Sequence, residues 1–320
     1  MRKLSVLEAG CILLVSTVLF ITAAMLIPLL APEYLEGGDN WHTVTILVEI
    51  GCFLVPGALY ALTRRVGIAS LGIRRCTAGQ VAIAIMMAFC GYIVIVFIQL
   101  IWLSLIGSLG GKPAQAVFPA MDTPARMLLG VVSIAVSAAV AEEFLFRGVL
   151  LPALSRRGRT ASALLVTSLL FMLMHTSVES LPFTLLYGLL LGWLALRSGS
   201  IWPSVAFHAA NNAIQVLLLY ASQSIELPPE LIESDPALIA DPATLAYSLL
   251  LYGVLAALGA GAFAALAWGY RKITRPPAAQ PGLPARAWHY TPIWVSAILL
   301  VAVLLARALQ LFGVLGPPGL

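Results

Sequence analysis

Nine apolar runs limit what this chain can become. They cover roughly 6–30, 43–63, 79–106, 126–154, 160–177, 181–197, 201–221, 244–270 and 291–314. A transmembrane helix needs about 20 consecutive apolar residues, and most of the runs reach that length. Charged residues make up 10% of the chain and hydrophobic ones 61%. A soluble domain carries about 25% charged residues, so a water-facing surface cannot be built from this composition. The expected fold is all-α: a polytopic membrane helical bundle of about nine transmembrane helices, with eight as the alternative count. The fifth and sixth runs are short, and only Thr176 to Ser180 separates them, which predicts a tight helical hairpin.

The polar stretches between the runs alternate in charge. Arg2 and Lys3, then Arg64, Arg65, Arg74 and Arg75, then Arg156, Arg157 and Arg159, then Arg197, then Arg271, Lys272, Arg275 and Arg286 mark one side. Glu33, Glu36, Asp39, Asp122, Glu179 and a loop with Glu226, Glu230, Glu233, Asp235 and Asp241 mark the other. Loops rich in Lys and Arg stay in the cytoplasm, which predicts a cytoplasmic N-terminus and, after nine spans, an outer C-terminus. The net charge of +4 arises from these short clusters, so no nucleic acid partner is expected. The first run is longer than the roughly 7–15 apolar residues of a signal peptide, and it reads as an uncleaved first helix. Cys11, Cys52, Cys76 and Cys90 form no CxxC pair and read as small buried side chains. Pro228–Pro242 reads as an ordered turn or short surface helix, and Arg275–Arg286, with four prolines, as an irregular linker. No repeat of the kind that builds many transporters is evident.

Against this background, a few ionisable residues fall where hydrocarbon is expected. Charge at mid-membrane is costly, usually faces the bundle interior and marks function. The fourth run holds Glu142, Glu143 and Arg147. Glu143 and Arg147 are spaced i, i+4 with the acid first, the favourable order for a helical ion pair. Glu142 is turned about 100° away on a helix and has no base four residues to either side. Glu143 therefore reads as structural and Glu142 as free to act. The fifth run carries Phe171 and His175, and the seventh His208 and Asn212, again i, i+4 on one face.

Two chemistries suit this set. A Glu and a His can hold and deprotonate one water while a second His and an Asn amide stabilise an oxyanion. Alternatively, Glu142, His175 and His208 bind Zn²⁺, which activates the water; HExxH is absent. Either scheme needs Glu142, His175 and His208 to converge, at roughly 3 Å per contact. Counting about 1.5 Å per residue from the basic loops places Glu142 and His175 deeper than His208.

The ordered set Glu142-Glu143-x-x-x-Arg147, Phe171-x-x-x-His175 and His208-x-x-x-Asn212, on separate membrane helices, resembles the CAAX prenyl endopeptidase and bacteriocin-processing family of intramembrane proteases, also called CPBP or ABI. The resemblance spans roughly 125–220. It implies that Glu142 and His175 activate water, that His208 and Asn212 stabilise the oxyanion, and that Glu143 and Arg147 support the site. It implies a metallo- or glutamate-type endopeptidase acting on a membrane-associated protein or peptide, in a cavity open to the cytoplasmic side of a membrane, here expected to be a bacterial plasma membrane. It divides the chain into N-terminal helices 1–124, a catalytic core 125–221, and an acidic loop with C-terminal helices 222–320. The runs outside the core match no subgroup, so prenylation of the substrate is not inferred. The competing readings are an ion- or proton-coupled transporter using the same residues as a relay, and a non-catalytic immunity or chaperone-like protein.

Other residues stand out less. Glu49, inside the second run, reads as a hydrogen-bonded structural acid ahead of a cavity residue. His42 and His289 read as interfacial, as do Trp102, Trp193 and Trp202. Arg307 snorkels or pairs with an interior group. Gly188 and Gly192 read as a close helix contact.

Overall fold

A computed structural model describes residues 2–38, 40–113, 118–155, 159–224, 242–276 and 285–315. Asp39, Arg156, Arg157, the loop expected as a turn or short helix before Pro242, and most of the proline-rich linker lie outside the described residues. Nine long helices run through the rest: α1 (Val6–Leu30), α2 (Trp41–Thr63), α3 (Ala78–Ser108), α4 (Pro124–Leu154), α5 (Thr160–Met174), α6 (Leu181–Ser198), α7 (Trp202–Ser224), α8 (Pro242–Ile273) and α9 (Thr291–Leu311). Each corresponds to one apolar run. Seven are long and apolar enough to cross a membrane. The other two are α5, which is short, and α7, whose His208, Asn211 and Asn212 dilute its apolar character.

Helix starts follow local chemistry. Ser5 and Glu8 form a capping box at α1, and Thr77 and Gln80 form one at α3, each satisfying N–H groups that a helix start leaves open. Glu8 also accepts a 2.7 Å hydrogen bond from Tyr60 of α2, which ties the first two helices together. At the far end, the Arg197 guanidinium donates to the carbonyls of Arg271 and Thr274 at 2.7 and 2.9 Å. It thereby closes the last turn of α8, where carbonyls lack partners.

α4 is the central helix. In its most apolar window 56% of the residues are buried, against 6% for α8. It is wound unevenly. Wider π-helical turns, 131–137 and 144–150, flank an α-helical stretch at 138–143 that carries both acids. α2 has a similar turn at 49–54. Such turns insert an extra residue per turn and are common at functional sites.

α5 is 15 residues long, about 22 Å at 1.5 Å per residue. That is shorter than a hydrocarbon layer of about 30 Å. The run was expected to continue to 177, but the helix stops at Met174, and Thr176 takes a positive φ of 47°. His175 is therefore the cap of the helix and not part of it. The exposed carbonyls of the following turn are met from α3: Gln99 donates to Glu179 and Trp102 to Val178, both at 2.9 Å. Backbone away from water must find such partners. Trp102 thus fastens a turn where the sequence suggested only an interfacial ring.

The α5–α6 hairpin forms as expected, and its contact depends on Gly188 and Gly192. A Cβ at Gly188 would stand 3.1 Å from both the Cα and the Cβ of Ser168. Without a hydrophobic force between helices in lipid, such close backbone packing carries the association. Gly188→Val is expected to lower the melting temperature in detergent by the several degrees that about 1–3 kcal/mol of overpacking causes, with Leu186→Val, at a half-exposed position, as the unaffected control.

Candidate functional site

Glu143 and Arg147 form the predicted pair. Nη1 donates to Oε1 at 2.8 Å with side-chain exposures of 1% and 0%. Nη2 donates to the carbonyl of Gly188 at 3.0 Å, and the guanidinium carbon lies 4.5 Å from the centroid of the Phe171 ring. One cation is thus shared among a carboxylate, a backbone carbonyl and an aromatic face, which draws α4, α5 and α6 together. A charge at this depth is tolerated only with such partners.

His208 joins this group and not Glu142. Its Nδ1 lies 3.2 Å from Glu143 Oε1; since that carboxylate is already paired with Arg147, Nδ1 is the donor. Tyr187 packs edge-on to the His208 ring at 5.3 Å and donates its hydroxyl to the His208 carbonyl at 3.4 Å. Tyr187 was not anticipated from the sequence, where a tyrosine in an apolar run carries no signal. Asn212 donates one amide N–H to the carbonyl of Ile134 at 3.1 Å. Its Oδ1 accepts from the neighbouring Asn211 at 3.5 Å.

Glu142 faces elsewhere. With His175 and Glu49 it lines a cavity of about 200 Å³ whose remaining wall is Phe20, Phe53, Phe146 and Met174. Glu142 Oε2 is buried and has no hydrogen-bond partner. His175 Nδ1 lies 2.9 Å from the Phe171 carbonyl. A carbonyl only accepts, so Nδ1 donates to the backbone and Nε2 is the ring nitrogen left for other partners. The ring also packs against Phe171 at a tilt, centroids 4.7 Å apart.

The expected convergence of three residues on one water is therefore corrected. Glu142 and His175 share a cavity; His208 does not line it. The Phe171 ring packs against both imidazoles, with centroids 4.7 Å from His175 and 6.2 Å from His208. The tentative zinc set Glu142, His175 and His208 does not fit either. Zinc needs three ligands on one point. Among the described residues no three His, Cys, Asp or Glu side chains are so gathered.

The lesser residues are also placed. His42 reaches across to Ser133 of α4 at 2.8 Å, and His289 accepts from the backbone N–H of Arg286 at 3.3 Å. Arg307 is exposed and donates to Gln310 one turn on, at 3.4 Å. All four cysteines are free thiols. Glu49, expected first as a bonded structural acid, is instead a cavity residue with Oε2 buried and unpartnered.

A many-helix membrane bundle that gathers buried acids and imidazoles on its central helices defines a polytopic membrane protein with an interior polar site. Residues 124–214 match the family model described as type II CAAX prenyl endopeptidase, Rce1-like. The match runs from the start of α4 into α7, contains all three motifs and shows the resemblance to CAAX proteases over that segment. The match supports a protease or hydrolase reading of that segment. No curated protein and no solved structure matches the chain.

The two adjacent acids are expected to separate by experiment. Glu143→Gln strips Arg147 and His208 of their shared partner and is expected to cost about 3–5 kcal/mol, read as a large fall in melting temperature. Glu142→Gln, at a carboxylate whose Oε2 bonds to nothing, is expected to leave the melting temperature at or above that of the wild type.

Proposed function

We propose that the protein is an intramembrane endopeptidase that hydrolyses a peptide bond in a membrane-associated protein or peptide. The observation that supports this most is the cavity shared by Glu142 and His175: an unpartnered carboxylate oxygen and an imidazole lining one space lined otherwise by apolar side chains. A volume of about 200 Å³ accommodates several waters at about 30 Å³ each.

In this reading, Glu142 takes a proton from the attacking water as the water oxygen bonds to the scissile carbonyl carbon. His175 Nε2, with Nδ1 tied to the Phe171 carbonyl, accepts the water's other hydrogen and orients it. Asn212 and His208 stabilise the oxyanion, the role that the family resemblance gives them; Asn212 keeps a second amide N–H beyond the one given to Ile134, and His208 needs a proton on Nε2 besides the Nδ1 proton it gives to Glu143. This role requires substrate binding to bring the scissile carbonyl within reach of both His208 and the cavity of Glu142 and His175. Glu143 and Arg147 hold His208 in place. No step of this reading passes through a metal. The orientation proposed from the basic loops places the N-terminus in the cytoplasm.

The test is cleavage of a membrane-peptide library, with and without a prenyl group, by purified protein. Glu142→Ala and His175→Ala are each expected to lower kcat/KM by about 100-fold or more, the range for loss of a general base, while activity survives a chelator. Equal cleavage by wild type and both variants rejects the endopeptidase reading. Loss of activity on chelation, restored by zinc, rejects the metal-free mechanism alone.

A further inference from the structure

Glu49 is a buried acid that the reaction above does not use. Its position is set by the π-helical turn Glu49–Leu54 of α2, against which the 138–143 stretch of α4 packs. That contact delivers the Glu49 carboxylate to the cavity lined by Glu142 and His175. Oε2 of Glu49 and Oε2 of Glu142 are both buried, and neither has a hydrogen-bond partner. No Lys or Arg lines the cavity.

A structural acid would look different. Buried polar groups are almost always bonded, because leaving one unpaired costs free energy. Of the two other acids held within the helices, Glu8 is bonded by Ser5 and Tyr60, and Glu143, although its Oε2 is likewise unpartnered, receives both Arg147 and His208 on Oε1. Glu49 instead shares its cavity with another carboxylate, and its Oε2 has no hydrogen-bond partner. The polar groups that face it are Glu142 from α4, His175 from α5 and the Cys52 thiol on its own turn; α1 contributes only the Phe20 ring to the cavity wall. Two carboxylates that line one small space put an acid and a base within reach of one water.

We propose that Glu49 is the second carboxylate of the catalytic site, holding the attacking water from the side opposite Glu142 and supplying the proton that the departing amine takes up. This rests on the endopeptidase reading. The water oxygen bonds to the carbonyl carbon as one water proton passes to ionised Glu142. The carbon–nitrogen bond then breaks, and the nitrogen takes the proton of neutral Glu49. The products are a free carboxyl group and an amine, with Glu142 protonated and Glu49 ionised. Transfer of that proton from Glu142 to Glu49, through water in the shared cavity, restores the starting state without any outside acid or base.

The experiment compares full-length wild type, Glu49→Gln, Glu49→Asp and Glu142→Ala on a peptide that the wild type cuts, with kcat, KM and melting temperature measured for each. Glu49→Gln is expected to lower kcat by about 100- to 10,000-fold with KM within about threefold, and Glu49→Asp to recover at least about tenfold of that loss. The melting temperature of Glu49→Gln should equal or exceed that of the wild type, since an unpartnered buried carboxylate is removed. A merely structural acid would give the reverse: a lower melting temperature with kcat of the folded fraction preserved. If the wild type cuts and Glu142→Ala does not, yet Glu49→Gln keeps kcat within about threefold, the role of Glu49 is overturned and the endopeptidase reading stands. If the wild type cuts nothing, both fall.

Discussion

A buried guanidinium sets the terms for the rest of the core. Arg147 is 2% exposed in a helix that is otherwise almost wholly apolar, and an isolated charge there would cost several kcal/mol. Three helices answer it. α4 supplies Glu143, α6 the Gly188 carbonyl and α5 the Phe171 face. The second consequence follows at once: Glu143, fixed by Arg147, accepts from His208 and thereby fixes α7. Gly188 has no side chain because its carbonyl must reach Arg147 while its α-carbon lies against Ser168. The ion pair, the glycine contact and the placement of His208 are one arrangement.

That arrangement frees Glu142. Adjacent residues on a helix differ by about 100°, so once Glu143 faces α6 and α7, Glu142 faces α2 and the tip of α5. There it meets Glu49 and His175. The widened turns on either side of 138–143 isolate this short stretch, so its two acids are presented on a segment whose phase is independent of the rest of α4. Structural and chemical work are divided between neighbours in sequence by geometry alone.

Much of this was legible beforehand. The nine runs became nine helices because apolar length is a strong signal in lipid, and the i, i+4 spacing of Glu143 and Arg147 is a local rule that does not depend on tertiary contacts. The split between Glu142 and Glu143 was legible for the same reason. What failed was long-range. The sequence pattern put His208 with Glu142, whereas the fold sets it on Glu143, a packing fact that spacing along one helix does not encode. Glu49 was ranked as a structural acid because an isolated Glu in an apolar run usually is bonded; only the packing of α2 on α4 reveals that it is not.

The shortness of α5 connects the site to its chemistry. A helix of about 22 Å that begins at one face ends inside a layer of about 30 Å, and the residue at that end is His175. A full-length helix would give its interior carbonyls to its own N–H groups and bury a histidine among side chains. A helix that stops early leaves the carbonyl of Phe171 free for the imidazole and forces the chain to turn where α3 must supply Gln99 and Trp102 to its carbonyls. The turn thus ties one ring nitrogen to the backbone and leaves the other for partners, on the same cavity as two carboxylates. An early helix end is a stability cost in a membrane. Its compensation from α3 makes sense as the means of keeping an imidazole nitrogen available at that depth.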